Sequence, residues 1–335
     1  MRRIIVNNNY KSKLSLIETE IAIKYVKDNF ERLLAKALNL TRISSPLFVI
    51  PESGLNDDLN GYERPVSFEI KDIDKNVEIV QSLAKWKRNA LHRYNFALYS
   101  GLYADMNAIR RDEELDNIHS CYVDQWDWEK IIASKDRTKS YLKRTVKKIY
   151  KVMLKIEKMV NTKYPVFSKK LPDEIYFIST KELEAKYPNL TRKEREDAIT
   201  KEHKAVFISE IGYPLKDGKP HDGRAADYDD WKLNGDILVW DELLNCALEL
   251  SSMGIRVDAN SLQKQLKKKG EEYKLNNPYS KGILDGTLPL TIGGGIGQSR
   301  LCMFFLEKAH IGEVQSSIWS QDDIDMFIKH NVNIL

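Results

Sequence analysis

Cysteine is scarce in this chain of 335 residues, and its three cysteines, Cys121, Cys246 and Cys302, lie far apart. No pair has the CxxC spacing, which excludes a zinc knuckle, and the odd number gives no disulfide framework. Three separate thiols are typical of a reducing compartment. We therefore expect a cytoplasmic protein in which the cysteines are small buried hydrophobic side chains.

Long apolar runs are also absent, since no window approaches the roughly 18 uninterrupted apolar residues of a membrane-spanning helix. The basic start lacks an apolar stretch and turns acidic at Glu18 and Glu20, so we expect neither a secretory signal nor a membrane partner. The net charge of +4 is too small to indicate nucleic-acid binding by itself. Hydrophobic residues at 42% and charged residues at 30% are typical of a globular protein with a sizeable core.

The periodicity of apolar residues predicts the secondary structure. Predicted helices cover 16–38, 83–96, 134–160 and 261–275, and a capping-box pattern from Thr191 to Glu194 begins another. Predicted strands cover 42–50, 66–70, 78–82, 174–179, 205–211, 235–240 and 245–252. Strand pairs without a βαβ rhythm predict an α+β fold with a central, mostly antiparallel sheet flanked by helices. No linker or repeat is visible, so we expect a single domain over 1–335.

Two predicted surface features have a direct bearing on function. The stretch 213–231 is rich in turn residues and is predicted to form a loop or hairpin over a site. The predicted helix 134–160 carries a row of cations: Lys139, Lys143, Arg144, Lys147, Lys148 and Lys151. A solvated helix face is the favoured interpretation, and a patch for polyphosphate or nucleic acid is the alternative.

Glycines 293, 294, 295 and 297 precede Ser299 and Arg300. Glycine lets the backbone approach a ligand closely, and the helix that follows presents free N–H groups to an anion. Arg300, near the start of that helix, can stack on a base or meet a phosphate. The spacing fits neither GxGxxG nor GxxxxGK[ST], which excludes a Rossmann site and a P-loop. A tight turn packed against the sheet is the alternative.

A polar row follows along the segment 121–129. In a strand, Gln125, Asp127 and Glu129 share one face, and Tyr122 points to the other face with the tryptophans. The row predicts an aqueous site above the sheet, with a solvent-exposed sheet face as the alternative. Arg110 faces that site from the neighbouring strand, and its planar fork suits a phosphoryl or carboxylate ligand.

Asp236 and Glu249 fall on adjacent predicted strands. Two carboxylates on paired strands can hold Mg²⁺, which prefers few carboxylates together with water and substrate phosphates. Surface salt-bridge partners are the equally weighted alternative. Strand alternation places Glu249 and Ser251 on one face and Ser252 on the other, until Gly254 breaks the pattern.

In their order along the chain, these segments resemble the motifs of class II aminoacyl-tRNA synthetases. Residues 110–129 resemble motif 2, 293–301 resemble motif 3, and the helix and proline-bearing strand at 16–50 resemble motif 1, which builds the dimer interface. Within that superfamily, six segments are similar to the ammonia-dependent aspartate–ammonia ligases: SLAKWKR (82–88), HSCYVDQWDWE (119–129), DYDDW (227–231), NGDILVW (234–240), ELSSMGIRVD (249–258) and TIGGGIGQSR (291–300). The similarity extends over about residues 20–318.

The resemblance implies a catalytic domain like that of the class II synthetases, a homodimer, and ATP-dependent amidation of L-aspartate by ammonia with Mg²⁺ as cofactor. The reaction it implies passes through β-aspartyl-adenylate and releases AMP and pyrophosphate. In the catalytic set, Arg110 binds the α-phosphate and the attacked carboxylate, and Asp57 and Gln125 lie near the reacting carbonyl where ammonia arrives.

The resemblance also implies binding residues. Those for aspartate are Ser82, Lys87, Asp127, Asp229 and Ser252, of which Lys87 holds the α-carboxylate and the last three surround the α-amino group. Those for ATP are Arg110, Tyr122, Arg224, Arg256, Gly295 and Arg300, of which Arg300 holds adenine against Tyr122, and Arg224 and Arg256 contact the polyphosphate. The implied metal ligands are Asp236 and Glu249.

Two rival functions stay open from the sequence. An aspartyl- or asparaginyl-tRNA synthetase carries an anticodon-binding β-barrel ahead of its catalytic domain. The predicted helix 16–38 leaves no room for one, so we expect no tRNA partner. A non-catalytic adenylate-binding paralogue is expected to lack Arg110, Gln125, Glu249 or Arg300, and all four are present. No cysteine lies in a nucleophile context beside a histidine, so free ammonia is the expected nitrogen donor.

Overall fold

The computed structural model describes residues 9–57, 59 and 63–335, and the basic start of the chain falls outside these ranges. Its strands are β1 (Leu40–Arg42), β2 (Phe48–Val49), β3 (Ser67–Ile70), β4 (Lys75–Ile79), β5 (Gly101–Ile109), β6 (Tyr122–Ile131), β7 (Tyr176–Ser179), β8 (Ala205–Ser209), β9 (Asp229–Asp241), β10 (Cys246–Arg256) and β11 (Thr291–Gly297). Its helices are α1 (Leu16–Leu38), α2 (Ala84–Arg93), α3 (Lys139–Lys163), α4 (Thr180–Lys186), α5 (Arg192–His203), α6 (Ala259–Lys269), α7 (Pro278–Leu284), α8 (Gln298–Phe305) and α9 (Gln321–Lys329).

A large sheet organises the described part of the chain, with the strand order β1-β5-β6-β11-β10-β9-β8-β7. The outermost pairs, β1 with β5 and β7 with β8, are parallel, and the pairs between them are antiparallel. Strands β2, β4 and β3 form a small antiparallel sheet beside it. The predicted α+β architecture with a mostly antiparallel sheet is confirmed.

The main hydrophobic core lies on one face of the large sheet, under α1, α3 and α8. The buried residues of α1 recur every three or four positions, as an amphipathic helix requires. One of them, Phe30, stacks on Trp126 of β6 with ring centroids 4.8 Å apart. On the opposite face, α2 packs Leu83 and Leu91 against the small side chains of β5. At the other end of that face, α4 and α5 pack Leu183 and Ile199 against β7, β8 and β9, and a polar cavity lies over the strands between.

Three predicted elements were wrong in their limits. The predicted strand 42–50 is divided between two sheets, because β1 ends at Arg42 and β2 begins at Phe48. Pro46 lies between them, and it has no N–H to continue a ladder. Helix α3 begins at Lys139, capped by the side chain of Thr138, so residues 134–136 form only a short 3₁₀ turn. The predicted helix 261–275 stops at Gly270, whose φ of 70° ends α6.

Other surface predictions have mixed outcomes. The capping box at Thr191 is confirmed. All three cysteines are free, but only Cys302 is buried, so the expectation of burial was wrong for the other two. The cations of α3 are exposed, and none of them lines the polar cavity. Within the described ranges, no helix is both long and apolar enough to cross a membrane.

Candidate active site

A polar cavity of about 380 Å³ lies over the second face of the sheet, on the same side as α2. All the predicted site residues except Asp236 line it: Asp57, Ser82, Lys87, Arg110, Tyr122, Gln125, Asp127, Arg224, Asp229, Glu249, Ser252, Arg256, Gly295 and Arg300. Asp236 lies beside the cavity and accepts a hydrogen bond from Arg224. Residues predicted from segments far apart in the sequence therefore meet at one site.

The floor of the cavity is made by β6 and β11, which are antiparallel neighbours. Their register sets each polar side chain of the row opposite a glycine: Gln125 opposite Gly297, Asp127 opposite Gly295 and Glu129 opposite Gly293. A Cβ at Gly293 would lie 1.8 Å from Glu129 Oε2, and one at Gly295 would lie 2.3 Å from Gln125 Oε1. Gly293 and Gly295 are needed because the polar row occupies the space that their side chains would fill.

Lys87 and Asp127 form a buried pair at this floor. Lys87 reaches across from α2, and its Nζ donates to Asp127 Oδ1 and, over 3.0 Å, to the carbonyl of Gly294. Burial lowers the pKa of Lys87, and the Asp127 carboxylate opposes that shift. Asp127 Oδ2 is buried with no hydrogen-bond partner. The pair therefore presents a cation and an open acceptor side by side, which suits an amino acid zwitterion.

Arg256 lies beneath the predicted aspartate-binding residues. Its Nε donates to both Glu129 carboxylate oxygens over 3.0 Å, its Nη2 donates to Glu129 over 2.7 Å, and its Nη1 donates to Asp229. Burial raises the pKa of Asp229, and Arg256 opposes the shift. Because two carboxylates occupy its donors, Arg256 supports Asp229 from below, and the geometry argues against the predicted polyphosphate contact.

Asp236 and Glu249 lie at one end of the cavity with Arg224. Burial raises the pKa of Asp236 to about 8, with Arg224 opposing the rise and Glu249 adding to it. Asp236 Oδ1 is buried and has no partner, although Oδ2 accepts from Arg224. In the part of the chain that the structure describes, no three His, Cys, Asp or Glu side chains converge as a metal cluster. Two carboxylates fit Mg²⁺, whose remaining ligands are water and phosphates.

Ser252 belongs to this cluster, which corrects the predicted alternation of β10. The pairing of β10 with β9 shifts between Glu249 and Ser251, so a bulge separates these residues. Ser252 therefore lies opposite Asp236, and its side chain opposes the rise of the Asp236 pKa to which the Glu249 charge adds. The prediction that Glu249 and Ser252 point to opposite faces was wrong because a bulge resets the period of two.

Two arginines approach the cavity from different elements. Arg110 follows β5, where its backbone N–H donates to the Cys121 carbonyl, and its Nε is buried without a partner. Its nearest acid is Glu113, at 3.9 Å. Arg300, on α8, donates from Nε to the carbonyl of Ile118 and from Nη1 to that of Glu249, each over 3.2 Å. The Arg300 guanidinium is therefore held by backbone carbonyls, and both arginines line the same cavity.

Tyr122 lies at the edge of the cavity, but its side chain points to the face of Asp124 and Lys27, whose charges act on its hydroxyl. Val123 is the residue on the Gln125 face, where it packs toward the side chains of β5. Arg300 also lies on the Gln125 face, since its Cβ is 3.4 Å from a Cβ built on Gly297. Tyr122 and Arg300 both line the cavity, and the adenine sandwich between them stays a prediction.

Asp57 enters the cavity from the loop after β2. Its carboxylate accepts from the backbone N–H of Leu59 over 3.0 Å. The side chain of Gln81, only 1% exposed, donates to the Asp57 carbonyl over 2.9 Å, and Asn56 accepts from the Gln81 N–H over the same distance. These contacts fix the backbone of Asp57 against the end of β4.

The sequence interpretation missed Asp124 and Ser299, which also line the cavity. A signal was available, because Asp124 alternates with tryptophans on the apolar face of its strand. A carboxylate on a core face needs partners to offset its desolvation. In the structure those partners are Lys27, Ser299 and Gln315.

Comparison with known proteins agrees with this geometry. The family described as aspartate-ammonia ligase matches residues 17–331. The chain belongs to the aspartate–ammonia ligase family. It is 60% identical over 334 residues to the aspartate–ammonia ligase of Clostridium tetani, covering 99% of this chain and 98% of that protein. It is 61% identical over 326 residues to that of Fusobacterium nucleatum, covering 97% and 99%.

Solved structures place this ligase-family chain in a wider fold group. The asparaginyl-tRNA synthetase of Pyrococcus horikoshii, complexed with asparaginyl-adenylate, matches with a TM-score of 0.66 and 16% identity over 90% of this chain and 70% of that chain. The corresponding Entamoeba histolytica complex gives 0.62 and 13% over 90% and 66%. At such identities the likeness shows the fold, which is that of the class II synthetase catalytic domain.

Proposed function

We propose that this protein converts L-aspartate, ammonia and ATP to L-asparagine, AMP and pyrophosphate through β-aspartyl-adenylate, in the cytoplasm. The observation that carries the proposal is the meeting of Arg110, Arg300 and the buried Lys87–Asp127 pair in one cavity. That arrangement offers cations for a nucleotide beside a zwitterion-binding pair, and membership of the ligase family supports the same reaction. The three free cysteines support the location.

Aspartate recognition follows from the charges at the cavity floor. Lys87 holds the α-carboxylate, because it is a fixed buried cation whose position is set by Asp127 and Gly294. The α-amino group donates to Asp127 Oδ2, which is buried and has an open acceptor site. Asp229 and Ser252 complete that polar wall. The β-carboxylate is then left to face Arg110 and Gln125.

In the first step, a β-carboxylate oxygen attacks the α-phosphorus, the bond to the β-phosphate breaks, and pyrophosphate leaves with the bonding electron pair. Arg110 neutralises the charge that develops on the α-phosphoryl oxygens. Arg300 and Arg224 hold the nucleotide, and Gly295 allows the close approach of its backbone. Asp236 and Glu249 hold Mg²⁺, which when bound supplies positive charge to the phosphates.

In the second step, the ammonia nitrogen attacks the acyl carbon and AMP leaves with the electrons of the broken C–O bond. Most ammonia is ammonium at neutral pH, so a proton must be removed before the attack; a second proton leaves the nitrogen as the amide forms and departs with the AMP phosphate. Asp57 attracts the cation and accepts that proton, since its carboxylate is buried at the cavity wall. Gln125 orients the carbonyl from the polar row.

The direct test is turnover of aspartate, ATP and ammonium with the purified protein. The expected products are asparagine and AMP in equal amounts, and ADP in place of AMP would overturn the adenylate step. A parallel assay with tRNA, aspartate and asparagine examines the rival synthetase function, for which we expect no aminoacylation. Binding of ATP with no turnover would favour the non-catalytic paralogue instead.

Substituting Asp57→Asn is expected to separate the two half-reactions. The amide keeps the size of the side chain but removes its charge and basicity. Asparagine formation should fall by about 10²- to 10⁴-fold, with aspartate-dependent ATP–pyrophosphate exchange changed by much less. Asp72→Asn, an exposed aspartate that does not line the cavity, is the control and should leave both half-reactions unchanged. Equal loss in both half-reactions would show that Asp57 does not act on ammonia.

We also propose that the protein is a homodimer whose interface includes residues 16–50. Large apolar side chains are exposed along this segment, including Ile17 at 71% and Ile21 at 54% on α1. Leu47, Phe48 and Ile50 are also exposed around β2. Several large exposed apolar side chains within one segment are typical of a surface that another protein covers.

The double substitution Ile17→Glu and Ile21→Glu is expected to give a monomer, because the introduced charges would be desolvated in the interface. Light scattering after size-exclusion chromatography measures the change in mass. Ile328→Glu on α9 is the control, since Ile328 is 65% exposed but distant in sequence from the segment. A dimer that survives the double substitution would place the interface elsewhere.

A further inference from the structure

Asp124 is a buried junction between three parts of the chain. On β6, its Oδ2 accepts from Lys27 Nζ of α1 over 2.9 Å and from the Ser299 hydroxyl over 2.8 Å. Its Oδ1 accepts from the Ser299 backbone N–H over 3.0 Å and from Gln315 Nε2 over 3.3 Å. Gln315 also donates to the Ser299 hydroxyl over 3.1 Å. No role in the reaction proposed above has yet been assigned to this network.

The position of the network points to the nucleotide. Ser299 is the second residue of α8 and precedes Arg300, which lines the cavity. Gly297, the cap residue of α8, makes no side-chain cap, so the carboxylate of Asp124 takes the place of one. An anion that accepts a free N–H in the first turn of a helix is favoured both by the hydrogen bond and by the helix dipole. Asp124 therefore fixes the turn from which Arg300 projects.

Lys27 supplies the counter-charge of this carboxylate, with its Nζ 2.9 Å from Asp124 Oδ2. Burial is the largest influence on the pKa of Lys27 and lowers it, but the charge and hydrogen bond of Asp124, together with the charges of Cys302 and Tyr122, give a net upward shift. The side chain of Asp124 is only 7% exposed, so loss of Lys27 would leave a buried carboxylate without its counter-charge. An unpaired buried charge is costly, so the Asp124 side chain would be drawn toward solvent, and that movement weakens its hold on Ser299.

We propose that Lys27 and Asp124 are positioning residues that set Arg300 for ATP, so that α1 is physically linked to the nucleotide site. The inference rests on the function proposed above. It adds a route by which the helix of the proposed dimer interface influences ATP binding without touching ATP. Neither residue contacts the reacting atoms in this assignment.

The test measures ATP–pyrophosphate exchange in the full-length protein with ATP and aspartate varied separately. Lys27→Met should raise the KM for ATP about tenfold and leave the KM for aspartate within about twofold. Lys27→Arg should restore most of the ATP affinity, because it returns a cation to Asp124. Lys24→Met is the matched control: Lys24 is one turn away on α1, its side chain is 76% exposed, and it pairs only with Asp28 of the same helix.

The outcomes separate this inference from the function on which it rests. Absence of aspartate-dependent exchange in the unsubstituted protein would overturn the proposed function itself. Normal exchange there, with Lys27→Met leaving the KM for ATP unchanged or raising both KM values alike, would overturn the link alone. If Lys27→Met does not fold, Ser299→Ala replaces it. That variant should raise the KM for ATP about threefold, and an unchanged KM would overturn the inference.

Discussion

Replacing Arg110 with alanine is expected to lower aspartate-dependent ATP–pyrophosphate exchange by about 10²- to 10³-fold. Within the described residues, the Arg110 guanidinium makes no hydrogen bond to any of the carboxylates at the cavity. Arg256 donates to two of them, Arg224 donates to Asp236, and the nearest acid to Arg110 is 3.9 Å away. Its charge is thus available to the α-phosphoryl group at the moment when negative charge develops there.

Two further variants sharpen this prediction. Arg110→Lys keeps the charge but loses the planar fork, so we expect only partial recovery of exchange. Arg111→Ala removes the neighbouring arginine, which is exposed and does not line the cavity, and should retain exchange. If Arg110→Ala keeps exchange near the level of the unsubstituted protein, adenylate formation does not depend on Arg110. If Arg111→Ala loses as much exchange, the effect is not specific to Arg110.

Local sequence patterns could predict a large part of the fold. The helical period of α1 and the capping box at Thr191 depend on residues within a few positions of each other. The alternation in β6 likewise depends on neighbours, and it put Gln125, Asp127 and Glu129 on one face as the register does. The site residues, however, were selected by resemblance to a family. Lys87 and Asp127 are far apart in the sequence, and no local sequence pattern predicts that they pair.

The predictions failed where contacts between residues far apart in the sequence determine the structure. The bulge in β10 depends on how that strand pairs with β9, so alternation alone misassigned Ser252. The carboxylates that occupy Arg256 include Glu129, which is 127 positions away in the sequence. A buried ion pair across such a separation follows from the tertiary fold. The sequence alone therefore could not show that Glu129 occupies Arg256, which was predicted to contact the polyphosphate.

Gly293→Ala is expected to lower the free energy of unfolding by about 3 kcal/mol, through overpacking and disruption of a buried ion pair. The added Cβ would lie 1.8 Å from Glu129 Oε2 and 2.7 Å from Arg256 Nη2. Glu129 cannot swing away cheaply, because it is fully buried and held by three hydrogen bonds from Arg256. Denaturant unfolding measures the loss.

The same substitution should raise the KM for aspartate, because displacement of Arg256 removes the support of Asp229. Gly297→Ala is the matched control for stability: it lies on the same strand, and its added Cβ meets only Arg300, at 3.4 Å or more. We expect the free energy of unfolding of Gly297→Ala to stay within about 0.5 kcal/mol of the unsubstituted protein. Equal stability of the two variants would mean that Glu129 and Arg256 can rearrange at little cost. The cavity floor would then not require glycine at position 293.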